Sequence, residues 1–406
     1  MSQITAFVGA LLIDGQGGEP VSDSVVLVEN GKFIAAGAKA TVPIPENAEL
    51  VDVTGKTVMP GLIDAHVHVH GAKNLNMAAV ALEANELQMG RALQDLPKLI
   101  NAGFTTVRDV GSHVAVYIRD LIKEGVVKGP RIKTSRHMLS QTGGHADIHM
   151  IPTELNIFTV CDGVPEVIKA TRTQFREGAD FIKVCSTGGV LSEKDDPRWS
   201  QFRMDELKAI VYEAEAVQSY VAAHAQGAQG IKNALEAGVR TIEHGIYIDE
   251  EGIGMMLDQK AVLVPTLAIV HRIIKEGHKY GVPEFGIRKA KSVYQEHIEN
   301  MIIARKAGVT IAVGTDFCTC APVEHGGNAL ELRLLVEDVG FTPMEAIVAA
   351  TRDAARAMQM EAEIGTIEPG KAADLLVLNV NPLTDIGLLE NTENIEQVYL
   401  SGERLK

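Results

Sequence analysis

The chain has 406 residues, a formal net charge of −15 at pH 7 and a mean hydropathy of +0.07. This acidic balance argues against nucleic acid and anionic membranes as partners, because their phosphate groups would repel the chain. No apolar run approaches the roughly 20 residues of a membrane span, and Met1–Leu12 lacks the features of a signal peptide. The cysteines show no C-x-x-C spacing, so a reducing cytoplasm is the expected location.

Both ends of the chain read as short strands. Residues 1–58 contain the runs I-T-A-F-V, V-V-L-V-E and F-I-A-A-G, and Asn30-Gly31 between the last two predicts a two-residue hairpin turn. Residues 365–406 contain D-L-L-V-L-N and Q-V-Y-L-S-G around a loop at Pro382. We therefore predict a small β-sandwich domain built from residues 1–58 and 365–406, with residues 59–364 as the main domain.

Between these ends, strand-like and helix-like segments alternate. Eight apolar runs read as strands, namely Leu62–His68, Thr105–Val110, Arg131–His137, Phe181–Cys185, Tyr220–His224, Thr241–His244, Val262–Thr266 and Thr310–Thr315. Stretches such as Glu206–Gln218 and Glu296–Ala307 read as helices, and Gly103, Gly238 and Gly308 stand where a helix C-cap glycine belongs. Repeated strand–helix units predict an α/β fold, in the form of a (β/α)₈ TIM barrel.

Residue types that bind metal ions stand at or near the ends of these predicted strands. In a barrel the strand ends converge at the C-terminal mouth, where the active site lies. The candidate ligands are His66 and His68 in D-A-H-V-H, Lys183 in F-I-K-V-C, His224 in V-A-A-H-A, His244 in T-I-E-H-G and Asp316 in V-G-T-D. Side chains alternate along a strand, so His66 and His68 share a face and can bind one ion.

Lys183 is the unusual member of this set, because an ammonium group inside an apolar strand is costly to bury. It either faces outward between helices or joins the metal site. Glu243 points to the opposite strand face from His244 and is predicted to be structural. Cys318 and Cys320 are not assigned as ligands, because the six other positions complete the site.

Together these motifs resemble the amidohydrolase superfamily in its binuclear-metal form. The supporting strings include M-P-G-L-I-D-A-H-V-H, I-K-V-C-S-T-G-G-V, I-E-H-G, V-G-T-D and P-G-K-A-A-D-L-L-V-L, which extend over nearly the whole chain. The chain resembles in particular the imidazolonepropionase-like proteins and the metal-dependent dipeptidases that act on Xaa-Pro or Xaa-Arg substrates. The resemblance implies two divalent ions, expected to be Zn²⁺, bridged by a carbamate formed when CO₂ carboxylates the amine of Lys183. It also implies that His224 and His244 hold the second ion and that Asp316 carries protons.

Four positions are predicted to contact the substrate. His145, in the loop Q-T-G-G-H after the third strand, can hydrogen-bond the carbonyl oxygen as it gains charge, and it is assigned as catalytic together with Asp316. His137 ends the third predicted strand. Gly188 and Gly189 follow Lys183 in T-G-G-V, where their backbone N–H groups could face a ligand.

Two further observations bear on the substrate. Arg198 and Arg272 lie in predicted loops, and either could pair with a substrate carboxylate. Gln226 stands where some dipeptidase-like relatives carry an aromatic residue, which weakens the assignment to Xaa-Pro substrates.

The expected function is that of a binuclear zinc hydrolase in which metal-bound hydroxide attacks an amide carbonyl. The favoured substrate is a dipeptide, such as Xaa-Pro or Xaa-Arg/Lys, or an N-acyl amino acid. A cyclic amide, a carbamate or a xenobiotic amide or ester is the alternative, because the loops of this fold determine the substrate. A non-catalytic, metal-stabilised binding protein is an alternative of another class, although the presence of Asp316 opposes it. The resemblance also implies a homo-oligomer.

Overall fold

A computed structural model describes residues 3–406. Strands occupy both ends of the chain, and strands alternate with helices between these ends. The strands are β1 Ile4–Leu12, β2 Val21–Glu29, β3 Lys32–Ala38, β4 Glu49–Asp52, β5 Thr57–Pro60, β6 Leu62–Val67, β7 Phe104–Asp109, β8 Arg131–Thr134, β9 Met138–Ser140, β10 Thr159–Val160, β11 Ile182–Cys185, β12 Val221–Ala225, β13 Thr241–His244, β14 Val262–Val264, β15 Thr310–Ile311, β16 Leu375–Leu378, β17 Ile395–Leu400 and β18 Glu403–Arg404. The α-helices are α1 Met77–Ala81, α2 Asn85–Asn101, α3 Ala115–Lys123, α4 Gly163–Arg176, α5 Met204–Glu215, α6 Ala228–Ala237, α7 Glu250–Gln259, α8 Leu267–Glu276, α9 Glu284–Ala307, α10 Leu330–Glu337, α11 Pro343–Ala349 and α12 Arg352–Ala357. Single 3₁₀ turns span Thr153–Leu155, Ile386–Glu390 and Thr392–Asn394.

The strands of both termini form one hydrogen-bonded sheet. Its order is β18-β17-β16-β5-β1-β2-β3, with β4 paired to β1. The turn between β2 and β3 is the predicted hairpin, and Asn30 and Gly31 both have the positive φ (52° and 74°) that a tight hairpin turn requires. Strand β5 lies between β1 and β16, so this sheet includes Thr57–Pro60.

The strands of the middle region pair in parallel, which confirms the predicted α/β fold. One sheet has the order β10-β9-β11-β12-β13-β14-β15 and the other the order β6-β7-β8. Strands β6, β7, β11 and β12 are buried along their whole length, as expected for parallel strands covered by helices on the outside. The third predicted strand, Arg131–His137, is shorter in the structure: β8 ends at Thr134, Arg136 has a φ of 62°, and the separate strand β9 begins at Met138.

The segment that follows β15 links the two parallel sheets. Ala312 donates its N–H to the carbonyl of Leu263 on one side, and Ala65 donates to the carbonyl of Val313 on the other, both at 2.9 Å. The regular strand β15 is much shorter than predicted, because only Thr310 and Ile311 pair with β14. The chain nevertheless continues beside β6 as far as Asp316.

Helices pack around these strands through a large apolar core. Helix α6 ends at Gly238 and α9 at Gly308, both in the left-handed conformation (φ of 98° and 91°), which confirms these two predicted C-caps. Ile63, Val264 and Ala312 form a second apolar cluster with helix α12. Among residues 3–406 we find no helix that is both long and apolar enough to cross a membrane.

Candidate metal centre and active-site cavity

Three predicted ligands from distant parts of the chain lie together at the ends of parallel strands. One ligand atom each from His66, His244 and Asp316 lies within 4.8 Å of the other two. The Oδ1 atom of Asp316 is 3.4 Å from Nε2 of His66 and 3.1 Å from Nε2 of His68. Burial raises the pKa of Asp316, but the two imidazoles outweigh this effect and hold the pKa well below its usual value. The carboxylate is therefore ionised and ready to bind a cation.

His224 and Lys183 complete this group from strands β12 and β11. The rings of His224 and His244 are 4.5 Å apart, centre to centre. Burial, together with the nearby imidazole of His145, holds the pKa of His224 well below its usual value, so the ring is neutral, as a metal ligand must be. Lys183 is only 1% exposed and borders the same cavity, so the alternative in which it faces outward between helices is wrong. Burial also lowers the pKa of its amine.

The outer nitrogen of each of the four histidines is held by a second group. The contacts are His66 Nδ1 to Glu243 Oε2 at 2.7 Å, His68 Nδ1 to the carbonyl of Gly111 at 3.1 Å, His224 Nε2 to the carbonyl of Gly188 at 3.1 Å, and His244 Nδ1 to Thr266 Oγ1 at 2.7 Å. A ligating histidine commonly uses its second nitrogen in this way, which fixes the tautomer and the ring orientation. The arrangement leaves the other ring nitrogen of each residue for an ion.

A buried ion pair beneath His66 escaped the sequence analysis. Glu243 is fully buried, and its carboxylate contacts both His66 and the guanidinium of Arg108, the latter at 2.7 Å. Burial would raise the pKa of Glu243, but Arg108 and Lys183 lower it below its usual value. Glu243 is thus more than structural, since it holds a predicted ligand. The signal available in the sequence was the presence of two charged residues, Arg108 and Glu243, inside apolar strands.

His145 lies against the predicted ligands and is held by a polar chain from the loop after β11. Its ring stacks on that of His224 at 4.1 Å. Nδ1 of His145 is 2.8 Å from Oγ of Ser192, and Ser192 also hydrogen-bonds Asp195. Because a carboxylate only accepts hydrogen bonds, Ser192 donates to Asp195 and its oxygen accepts from Nδ1–H of His145. Burial raises the pKa of Asp195, but hydrogen bonding and attraction from His145 lower it to about 2.

Helix α9 fastens this loop through Lys289, which sequence reasoning did not single out. The Nζ atom of Lys289 donates to the backbone carbonyls of Gly189, Ser192 and Asp195 at 3.0, 2.6 and 2.6 Å. An ammonium group has three hydrogens to donate, and these three carbonyls use all of them. Lys289 and Gly189 are 100 residues apart in the sequence. Only the folded chain therefore reveals this contact.

A cavity of about 350 Å³ opens above these residues. All six predicted metal ligands and His145 border it. Most of the remaining lining is apolar and includes Leu75, Met138, Ile148, Phe158, Val270 and Phe285. Among the described residues that line the cavity, Lys183 is the only lysine or arginine, and neither Arg198 nor Arg272 takes part.

Three of the predicted substrate contacts do not border the cavity. His137 follows the break at Arg136 and packs near His113, with ring centres 6.5 Å apart. The N–H of Gly188 donates to the carbonyl of Trp199, and the N–H of Gly189 to Asp195. Because these N–H groups are already used, the two glycines support the loop rather than a ligand. A Cβ atom on Gly189 would lie 2.2 Å from the His145 ring, which explains why glycine is needed there.

Gln226 borders the cavity with an unused polar atom. The residue is 4% exposed, and its Oε1 atom has no hydrogen-bond partner within residues 3–406. A buried polar atom without a protein partner is unusual and points to a ligand or a water molecule. Gln226 therefore offers this cavity a polar contact.

Comparison with known proteins agrees with this geometry. The amidohydrolase family profile matches residues 57–405. Ochratoxinase from Aspergillus niger is 32% identical over 100% of this chain and 87% of that protein, and its crystal structure aligns with a TM-score of 0.92 over 100% of this chain and 96% of that one. A prolidase crystallised with N-methylphosphonate-L-proline is 36% identical with a TM-score of 0.91, and a Xaa-Pro dipeptidase with methionine bound in its active site is 33% identical with a TM-score of 0.89; each match covers 100% of both chains. The alternative of a non-catalytic binding protein is not retained. The chain belongs to the amidohydrolase family and is a hydrolase, as the resemblance seen in its sequence predicted.

Proposed function

We propose that this amidohydrolase is a binuclear metal enzyme that cleaves an amide bond. The observation that carries the proposal is the convergence of four imidazoles, a carboxylate and a buried amine on one cavity. Neutral imidazole nitrogens and carboxylate oxygens form a donor set that suits Zn²⁺. The residues present thus fit two divalent ions, which His66, His68, Lys183, His224, His244 and Asp316 would hold.

Lys183 would serve this site as a carbamate. An ammonium group in a site built for cations would repel them, whereas an N-carboxylated lysine offers anionic oxygen ligands. Its near-complete burial and lowered pKa support this proposal, because carboxylation by CO₂ requires a neutral amine. The nearest charged groups that act on Lys183 include Glu243 and Asp316.

Two side chains, Asp316 and His145, would act on the substrate during hydrolysis. When bound, the ions would lower the pKa of a water molecule toward 7 and polarise the substrate carbonyl. Asp316 would accept the proton of the attacking water at its carboxylate and transfer it to the departing nitrogen. His145, held by Ser192 and Asp195, would donate a hydrogen bond to the carbonyl oxygen as charge develops there.

A dipeptide or an N-acyl amino acid is the proposed substrate class. The prolidase, the Xaa-Pro dipeptidase and the ochratoxinase among the relatives support it. The apolar lining of the cavity suits an apolar side chain or acyl group, and Gln226 offers a polar contact for the substrate.

The absence of Arg198 and Arg272 from the described cavity lining favours a second substrate class. A free carboxylate is best bound by a guanidinium or ammonium group. An uncharged cyclic amide, carbamate, or xenobiotic amide or ester needs no such partner, so these substrates remain the second candidate.

We also propose an overall architecture, an oligomeric state and a cellular location for this enzyme. The hydrogen bonds that join Val313 to Ala65 and Leu263 to Ala312 support a closed (β/α)₈ barrel. We propose a β-sandwich formed by residues 1–58 and 365–406, with residues 59–364 as the main domain, and a homo-oligomeric assembly. All four cysteines are free thiols, which is consistent with a cytoplasmic location.

Two measurements on one preparation test the function. Elemental analysis of protein expressed with sufficient zinc should find close to two ions per chain, and one ion or none would contradict the binuclear centre. The same protein is then assayed against Xaa-Pro, Xaa-Arg and Xaa-Lys dipeptides, N-acyl amino acids, cyclic amides, carbamates and aryl esters. Turnover of the dipeptides or of the N-acyl amino acids supports the favoured class. Turnover of only the uncharged substrates would transfer the assignment to the second candidate.

A further inference from the structure

Two cysteines form a sulfur pair beside the candidate metal centre. Cys318 and Cys320 follow Asp316 closely in the chain, and their Sγ atoms are 3.5 Å apart. They are only 3% and 6% exposed, and Cys318 borders the active-site cavity. The proposed hydrolysis uses neither thiol.

The loop that carries the pair is fixed by backbone hydrogen bonds. Cys318 donates its N–H to the carbonyl of Val323 at 2.8 Å, and Val323 donates to the carbonyl of Cys320 at 3.0 Å. His325 donates its N–H to the carbonyl of Cys318 at 3.0 Å, and its Nε2 atom contacts the carbonyl of His68 at 3.2 Å. These contacts hold the sulfur atoms face to face and connect the loop to a predicted ligand.

We propose that Cys318 and Cys320 are a site of reversible oxidation, at which a two-electron oxidant forms a disulfide that inactivates the enzyme. In the reaction with a diazene, the two S–H bonds break, one S–S bond forms, and the two hydrogens add across the N=N bond. Sulfur is oxidised and the diazene is reduced to a hydrazine. Hydrogen peroxide would give the same disulfide, with two molecules of water as the other product. The cavity gives a small reagent access to Cys318, and Cys320 is the adjacent resolving thiol.

Inactivation follows from the position of the pair, and this part of the proposal rests on the proposed function. The sulfur atoms must approach from 3.5 Å to the bond length of about 2.05 Å, a contraction of about 1.5 Å. The segment that must adjust begins at Asp316, whose carboxylate contacts His66 and His68. A misplacement of about 1 Å at a reacting group can cost about 10²-fold in rate, so we expect kcat to fall by about that factor.

The test treats the zinc-loaded protein with diamide and then removes the reagent. Intact mass under non-reducing conditions should fall by the mass of two hydrogen atoms, and peptide mapping should locate the bond between Cys318 and Cys320. The activity should fall about 10²-fold and return on addition of dithiothreitol. Phenylarsine oxide, which bridges paired thiols with loss of one water molecule, should protect the pair from diamide.

Matched variants separate the pair from the other cysteines. Cys320→Ser and Cys320→Ala should retain their activity after diamide, whereas Cys161→Ser should be inactivated like the wild type. Retention of both thiols after diamide, or a Cys318–Cys320 disulfide with unchanged kcat, would overturn the proposal. If the untreated protein hydrolyses no substrate, the proposed function fails, while the mass measurement still decides whether the disulfide forms.

Discussion

The fully buried ion pair beneath the candidate metal centre allows a quantitative prediction for Glu243→Gln. The substitution keeps the size and a hydrogen-bonding oxygen but removes the charge that faces Arg108 at 2.7 Å. Breaking a buried pair by removing one partner costs about 3–5 kcal/mol, because the remaining charge is left uncompensated. Arg108 keeps neutral acceptors in the carbonyls of Ala65 and Ala357 at 2.5 and 3.3 Å. We therefore expect the free energy of unfolding to fall by about 3 kcal/mol, which is the lower end of that range.

The same substitution should weaken metal binding through His66. Its Nδ1 atom would face a neutral amide instead of a carboxylate, which makes the ring a poorer ligand. Loss of such an outer partner typically lowers metal affinity about 10–100-fold. The two effects are separated by measuring urea unfolding of chelator-treated protein and zinc affinity by competition with a chromophoric chelator. Glu215→Gln, at an exposed position of helix α5, is the matched control and should change the free energy of unfolding by less than about 0.5 kcal/mol.

A double variant shows whether the charge pair is the cause. In Arg108→Met/Glu243→Gln no uncompensated buried cation remains, so the double variant should be more stable than the sum of the two single changes predicts. Wild-type stability of Glu243→Gln in the metal-free protein, or strict additivity of the two changes, would refute the reasoning. The positions of Glu243 and Arg108 would then matter for packing alone.

Three further predictions concern the proposed reaction. Lys183→Ala should lose both metal and activity, and short carboxylic acids should partly restore them. Elemental analysis and an activity assay measure both. Full metal content and full activity in the variant would show that Lys183 is not part of the site. His145→Ala should lower kcat/KM about 10²–10³-fold at unchanged metal content, and Asp195→Asn should lower it by a smaller factor; unchanged kinetics in both would show that the polar chain has no role. Asp316→Asn should lower kcat at least about 10²-fold with a much smaller change in KM, and wild-type turnover with both metals bound would mean that another group carries the proton.

The sequence predicted the positions of those site residues that lie on a single strand. His66 lies at the end of a fully buried strand, His224 lies within another, and His244 ends a third. Parallel strands align their carboxyl ends, so recognising the strands was enough to predict that these side chains meet. The Asn30-Gly31 turn was predictable for a similar local reason, because a two-residue hairpin loop requires positive φ at both positions.

Contacts between distant loops could not be predicted in this way. The sequence suggested that Gly188 and Gly189 offer N–H groups to a ligand, but these groups are used by Trp199 and Asp195. Which partner an N–H finds depends on how the loop folds back, and local composition does not specify that. Lys289 illustrates the same point, since a lysine on a long helix is usually solvated and here binds three carbonyls of one loop.

Backbone strain at the cavity is the feature for which local sequence is least informative. His244, Thr266 and Asp316 adopt φ of 71°, 54° and 58°, although none is glycine. Each such residue costs about 1–3 kcal/mol and persists only where surrounding contacts impose it. Here Asp316 donates its N–H to the carbonyl of His66 at 2.7 Å, and Thr266 holds the ring of His244. The strained positions are thus two predicted ligands and the residue that orients one of them. Because these hydrogen bonds come from distant parts of the fold, they fix the orientation of the predicted ligands in a way that local sequence does not specify.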